Sequence, residues 1–392
     1  MERLHFLSGF LDKHRIIPIF FTVVVSVIPP PFLKGKEMLA KKMSAPIRWM
    51  AMGLLIWMGM ALTANALSGN KGGCMPAFPL DPSWQGADAA YSIPLPDGRD
   101  IWIFGDTLYG EKRGLLPNGD PLMVRNSIGI STCDKQGKTK LTYVVRHDVN
   151  GAAKDFFTAQ HPHTWYWAMD GFYYDKSLWV TLLCVRNAPK TTEPNLGFES
   201  CGADLAKVSE LGSDAQKWKV EYFSLVDDGA KAYPSASAVI QGKYAYLFAL
   251  SEVGTRPSLL TRIPLKGLDE PRKNLEYLAT DNTWQKGFDP VKAKHVMEAG
   301  GSEMSVRWHP DLGKWVTVLM DPGGFSDKIL LREAPSITGP WSNGEVIYHV
   351  PELQPSSAGY DRDTFCYAAK EHPEYEDPGS LVFTYVCNTL DV

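Results

Sequence analysis

GADAAYSIPLPDGRDIWIFGDTLYG, residues 86–110, reads as a β-hairpin. Two runs of β-branched and aromatic residues flank Asp97-Gly98, a dipeptide that supplies the positive backbone angles of a tight reversal. The same pattern, a polar-tipped apolar strand, a turn and a second apolar strand, recurs downstream. First strands begin near Asp88, Trp167, Ser235, Glu303 and Tyr367, at spacings of 79, 68, 68 and 64 residues. Second strands are marked by Trp102, Trp179, Tyr246, Trp315 and Phe383, at spacings of 77, 67, 69 and 68. Because both series keep step, one supersecondary unit is repeated around a radial array. The sequence predicts an all-β fold, a five-bladed β-propeller.

Working outward, the first unit adds VRNSIGIS and LTYVVRH as outer strands. The second unit is HTWYWAMDGFYY, SLWVTLLCV and KWKVEYFSL, with an apparent insert from Asn187 to Gly212. The third runs SASAVIQ, YAYLFALSE and LLTRIPL, and the fourth SEMSVRWHP, WVTVLMD and KILLREA. The fifth ends at FCYAAKEHP and LVFTYVCN, two strands only. An exposed edge there is a liability, so residues 74 to 84 are expected to close the ring as its outer strand. One propeller domain should span residues 67–392. The 12 Trp, 17 Phe and 16 Tyr suffice for cores between blades, and 34 Gly with 28 Pro suit a turn-rich fold. A net charge of -4 offers no basic face for nucleic acid.

Residues 1–66 read as a targeting segment. IIPIFFTVVVSVIPPPFL (16–33) is broken by Pro29, Pro30 and Pro31, which argues against a full span. Lys41, Lys42 and Arg48 precede WMAMGLLIWMGMAL, and Ala64-Asn65-Ala66 offers small residues to a signal peptidase. Export with cleavage after Ala66 is expected, from a start at Met38 or Met43, leaving no stable membrane span; the alternative is an uncleaved anchor. All six cysteines follow that point, which permits disulfides in a secreted or periplasmic chain. Closeness in the chain predicts Cys184 with Cys201, and Cys366 and Cys387, on the two strands of one hairpin, could also meet. No CxxC or HExxH occurs, so neither a metal site nor a cofactor is expected.

In a propeller the inner strands converge on the axis, so their first residues line one funnel. Those positions bring Asp88, Trp165, Trp167, Asp170, Ser235, Glu303 and Tyr367 to the mouth, and second-strand ends add Asp106, Glu252, Asp321 and Asn388. Acids among aromatics suit a sugar: carboxyls do acid, base or nucleophilic work and aromatic faces stack on the ring. Should the hairpin loop hold an odd number of residues, Asp88 and Asp106 face one another, and two such anions push one pKa up. A role for Asp106 in the turn after it, and for Asp88 as a strand cap, explains the spacing equally well. Glu303 is expected as a further acid or sugar ligand, with an ion pair to Arg307 or Arg332 as the alternative. Arg125 and Asn126 would bind hydroxyls or hold Asp106. Trp165 and Trp167 share parity and could present one face to substrate, although burial between blades accounts for them as well. His161 and His163 are assigned to a loop.

Several phrases together, WQGADAAYSIPLPDGRDIWIFGDTLYG, RNSIGIS, GSEMSVRWHPDLGKWVTVLM with GPWS, and YAAKEHPEYEDPGSLVFTYVCN, resemble a family of secreted proteins formerly described as DUF4185. Its members are classed as endo-D-arabinanases, family 183 of the glycoside hydrolases. The resemblance covers most of residues 80 to 390. It implies a five-bladed propeller, export, and cleavage of α-linked D-arabinofuranose chains, with Asp88 and Asp106 at the acidic motif positions. The chain departs from that pattern in its six cysteines, the Asn187–Gly212 insert and an end almost at the last motif. The expectation is a secreted glycoside hydrolase acting on a furanose-containing polysaccharide, with Asp88, Asp106 and Glu303 catalytic and Trp165, Trp167, Asp170, Arg125, Asn126, Asp321 and Tyr367 binding substrate. The alternatives are a lectin-like propeller without catalysis and, more remotely, a protein-binding scaffold.

Overall fold

The computed structural model describes residues 22–28, 74–79, 81, 84–110, 122–189, 197–322, 326–377 and 379–389. In the first sheet Gly86–Pro94, Asp100–Leu108, Ser127–Cys133 and Thr139–Val144 lie side by side in that order. The second holds Thr164–Tyr174, Ser177–Asn187, Phe198–Ser209 and Lys219–Val226. The third runs Ala232–Gln241, Tyr244–Ser251, Ser258–Pro264, Glu276–Leu278 and Trp284–Lys286, with His295–Met297 also on Ser258–Pro264. The fourth holds Met304–His309, Lys314–Met320, Lys328–Ala334 and Glu345–His349. In the last sheet Thr364–Glu371 pairs with Leu381–Thr389, and Thr22–Ile28 forms the third strand. The first-listed strand of each sheet packs on that of the next, and the last returns to the first. The architecture is an all-β propeller.

Local chemistry explains the first hairpin. Leu95 N–H donates to Arg99 O at 2.8 Å and Gly98 N–H to Leu95 O at 3.1 Å, which leaves Pro96, Asp97 and Gly98 as a three-residue loop. Gly98 has φ +89°, a conformation that favours glycine. The Asp97 carboxylate accepts from Arg99 N–H at 3.1 Å and from Arg99 Nε at 2.9 Å, locking the turn. The odd loop sets the register in which Ala87 faces Thr107.

Each seam between sheets has its own apolar core. Tyr91, Ile93, Ile101 and Ile103 meet Tyr166, Leu178, Val180 and Leu182 between the first and second sheets. Trp102 and Phe104 meet Tyr375 and Val382 where the last sheet returns to the first. Burial of side chains of this size contributes about 1.5–3 kcal/mol each, and the regular Trp, Tyr and Phe marks of the second strands supply it seam by seam.

The disulfides are Cys74–Cys133, Cys184–Cys201 and Cys366–Cys387, with no cysteine free. Three such bonds indicate an oxidising compartment, outside the cell or in a periplasm. Among the described residues no helix is long and apolar enough to cross a membrane. Cys74–Cys133 spans 59 residues, a loop long enough for closure to stabilise the fold by about 2–4 kcal/mol. The Cys74→Ala/Cys133→Ala double variant should therefore lose stability of that size in denaturant titration; a loss below about 1 kcal/mol would show that the segment is held by packing alone.

Two expectations are corrected. The described residues of 74–84 do not extend the last sheet: Asp81 bridges Trp84, and Cys74 is tied to the first sheet. The third strand there is Thr22–Ile28, paired antiparallel with Leu381–Cys387, inside the stretch read as targeting. Cleavage after Ala66 would remove it; the rest of residues 1–66, the cleavage motif included, lies outside the described residues. Nor is all of Asn187–Gly212 an insert, because Phe198–Ser209 pairs along Ser177–Asn187 as a full strand. Alternation of small and apolar residues in CGADLAKV supports that strand, a signal masked by the neighbouring polar run.

Candidate active site

Four inner strands are irregular where they approach the axis. The register shifts at Ala87/Ala89/Tyr91, opposite Val180/Leu182, at Pro234/Ser237 and at Tyr367/Lys370. Such bulges re-aim side chains that a regular pleat would send into a seam. Ala89, Ala90 and Ala368 have φ of 63°, 65° and 61°, a left-handed conformation that costs a non-glycine residue roughly 1–3 kcal/mol. The strain has a visible return. The carbonyls of Ala89 and Ala368 both accept from Lys370 Nζ, the latter at 2.7 Å, and Tyr91 lies with its ring 4.4 Å from that ammonium.

Asp88 sits inside the first of these bulges. A Cβ on Gly105 would fall 2.2 Å from Asp88 Oδ1, so FGDT needs its glycine because the Asp88 carboxyl occupies that space beside Asp106. Tyr367 O–H donates to Asp88 Oδ2 at 3.1 Å, and Asn388 Nδ2 donates to Tyr367 O at 3.0 Å. Burial, then the negative charges of Asp106 and Glu303, push the Asp88 carboxyl well above the usual range; Tyr367 and Lys370 oppose this only in part. Asp106 is raised to about 6, chiefly by burial, with Arg125 and then the Trp167 indole pulling it down. Arg125 Nη1 lies 3.4 Å from both Asp106 oxygens, its own N–H donates to Asp155 Oδ1 at 2.7 Å, and its guanidinium stacks 4.5 Å from the Trp165 ring. The Trp167 indole N–H makes no hydrogen bond of normal geometry; its dipole still favours the Asp106 anion.

Glu303 is not paired with Arg307 or Arg332. It meets Lys370, Oε1 to Nζ at 3.5 Å. Burial lowers the Lys370 pKa, and Glu303 and Asp88 are the charges that raise it again. Asp88, Asp106, Glu303, Tyr367, Lys370 and Arg125 therefore form one electrostatic cluster built from the first, fourth and last sheets. Trp165 and Trp167, both half-buried, stand beside it on one face of the second sheet.

Three expected ligands are engaged by protein groups. Asp170 is fully buried and saturated: Arg307 donates to it twice at 2.9 Å, Ser237 Oγ at 2.8 Å and Ala238 N–H at 2.9 Å. That carboxylate ties the second, third and fourth sheets together, so it serves packing. Asn126 is also fully buried, donating to Phe157 O and Tyr166 O and accepting from Phe157 N–H. Asp321 accepts from Ser326 Oγ at 3.2 Å just past the end of its strand. His161 and His163 are exposed in a loop as expected. Lys370 was missed; the signal was a lysine inside an otherwise apolar inner strand, FCYAAKE.

Fold and site together define an all-β propeller with a buried acid cluster beside two tryptophans. The chain belongs to the family described as "Domain of unknown function (DUF5005)", whose model matches residues 78–392. No curated protein matches it by sequence. Among solved structures, one from Bacteroides ovatus, described as a suspected hydrolase, superposes with a TM-score of 0.58 at 18% identity, covering 78% of this chain and 86% of that one. At that identity the likeness speaks to fold alone. A family 117 glycoside hydrolase of Zobellia galactanivorans gives a TM-score of 0.42 at 11% identity, covering 79% and 85%. A xylan β-1,4-xylosidase of Bacillus halodurans gives 0.41 at 10%, covering 74% and 47%.

Proposed function

We propose that this protein is a secreted glycoside hydrolase with five blades that cleaves a furanose-containing polysaccharide in the manner of an endo-D-arabinanase. The observation that carries the reading is the Asp88/Asp106 pair: two carboxyls on one hairpin, both raised by burial, with Asp88 pushed up further by neighbouring acids and Asp106 pulled back by Arg125. Asp88, buried and crowded by two acids, has its carboxyl pushed well above the usual range and is assigned as the acid that protonates the leaving oxygen. Asp106, eased by Arg125, is ionised and acts as base or nucleophile. Glu303, anchored on Lys370, sets the proton affinity of Asp88 through its charge. Trp165, Trp167 and Tyr367 offer apolar faces to the sugar, and Arg125 a donor to its hydroxyls.

Incubation with arabinan, arabinogalactan and other plant or microbial polysaccharides should release soluble oligosaccharides from the furanose-containing ones. Binding without products would replace the hydrolase by a carbohydrate-binding propeller, and neither binding nor products would end both. The acid limb of kcat/KM should fall about tenfold per pH unit below about 6 as Asp106 takes up its proton. The alkaline limb should report loss of the Asp88 proton, both limbs belonging to the pair. A flat profile between pH 4 and 8 would remove Asp106 as the base.

A further inference from the structure

We propose that His309, Glu371 and Glu376 form a binding site for a divalent first-row transition metal in the seam between the fourth and last sheets. The donor atoms of the three lie within 4.8 Å of one another. Glu371 and Lys370 are consecutive, yet Lys370 turns toward Ala89 of the first sheet and Glu371 toward His309 of the fourth. His309 closes the strand that Glu303 precedes, which puts it roughly 20 Å along the chain direction from Glu303 at strand rise. The site is thus separate from the acid cluster.

A cluster of acids would by itself mean little; the second observation is an orphaned atom. The Glu371 side chain has no exposure. One of its oxygens meets His309 Nε2, and the other, Oε2, is buried without any hydrogen-bond partner. A buried carboxylate oxygen left so is costly. Neighbouring cations do not answer it, because Arg307 is bound twice by Asp170, and Lys370 by Ala89, Ala368 and Glu303. Glu376 is held in place by Val382 N–H, which donates to its Oε1 at 3.0 Å. A divalent ion with a neutral imidazole balances two carboxylates. One nitrogen and two carboxylate oxygens suit zinc or manganese better than calcium, which prefers oxygen alone. His309 has a side chain 10% exposed and Glu376 is half-buried, which gives the ion and a completing water a way in. Its role there is to pin the fourth sheet to the last.

The test is calorimetric titration of the EDTA-treated, full-length protein with Zn2+, together with thermal melts. One Zn2+ per chain, a rise of several degrees in melting midpoint, and at least tenfold weaker binding in Glu376→Gln with an unchanged metal-free melt are expected. Asp106→Asn should bind Zn2+ like the wild type. If His309→Ala fails to fold, X-ray absorption on the wild-type zinc form replaces it, with an oxygen and nitrogen shell including one imidazole expected. Absence of stoichiometric binding, equal affinity in Glu376→Gln, loss of binding in Asp106→Asn, or a shell without imidazole would each overturn the site and leave His309 and Glu371 as an ion pair.

Discussion

On the proposed reading, Asp88→Asn is expected to lower the release of oligosaccharide about a thousandfold, with substrate binding largely kept. An amide has no proton to give to the leaving oxygen, and positioned acid catalysis contributes roughly 10²–10⁴-fold. The fold survives because Tyr367 O–H, 3.1 Å from Asp88 Oδ2, can donate to the amide oxygen instead. Asp106→Asn should cost as much and leave a second signature in stability. The Asp106 carboxyl has an ordinary pKa of 3.8 when unfolded and about 6 when folded. The stability it contributes is complete below about 3.8 and is lost as the pH rises through about 6, on the order of 2–3 kcal/mol. Asn carries no such penalty, so the variant should be more stable than the wild type at pH 8 and no more stable at pH 4. Product analysis and denaturant titration at the two pH values check both halves. Turnover near the wild-type level in either variant would remove that residue from the mechanism.

The largest effect on stability is expected at Asp170 and Arg307. Arg307→Met leaves the Asp170 carboxylate, fully buried, with Ser237 and two backbone amides as its remaining donors. Asp170→Leu leaves the guanidinium, with a side chain 15% exposed, without its anion. Breaking one side of a buried pair costs about 3–5 kcal/mol, whereas replacing both partners by apolar groups of similar volume can be nearly neutral. Each single variant should therefore lose about 3–5 kcal/mol in denaturant titration, and the double variant clearly less than the two combined. Single variants within about 1 kcal/mol of the wild type would show that the pair does not hold the three sheets together.

Much of the architecture could be read from local chemistry. Asp97-Gly98 specifies the first turn, and its odd loop brings Asp88 round toward Asp106; the evenly spaced Trp, Tyr and Phe marks fall on the second strands; Cys184–Cys201 and Cys366–Cys387 follow from closeness in the chain. What escaped depends on contacts between sheets. Asp170 and Arg307 are 137 residues apart, and only the ring brings them together, so the acid read as a sugar ligand is a packing group. Asn126 was misread for the same reason, its polar pattern being spent on Phe157 and Tyr166. Lys370 was hidden because alternation assigns residues to faces, and the bulge at Tyr367/Lys370 breaks that alternation. That Asp88 and Asp106 come near one another was legible because both belong to one hairpin.

The bonds from Arg307 and Ser237 to Asp170 knot the inner strands of three successive blades to one carboxylate, so those blades are expected to come apart as a unit, and local opening of any one of them should be as rare as unfolding of the whole.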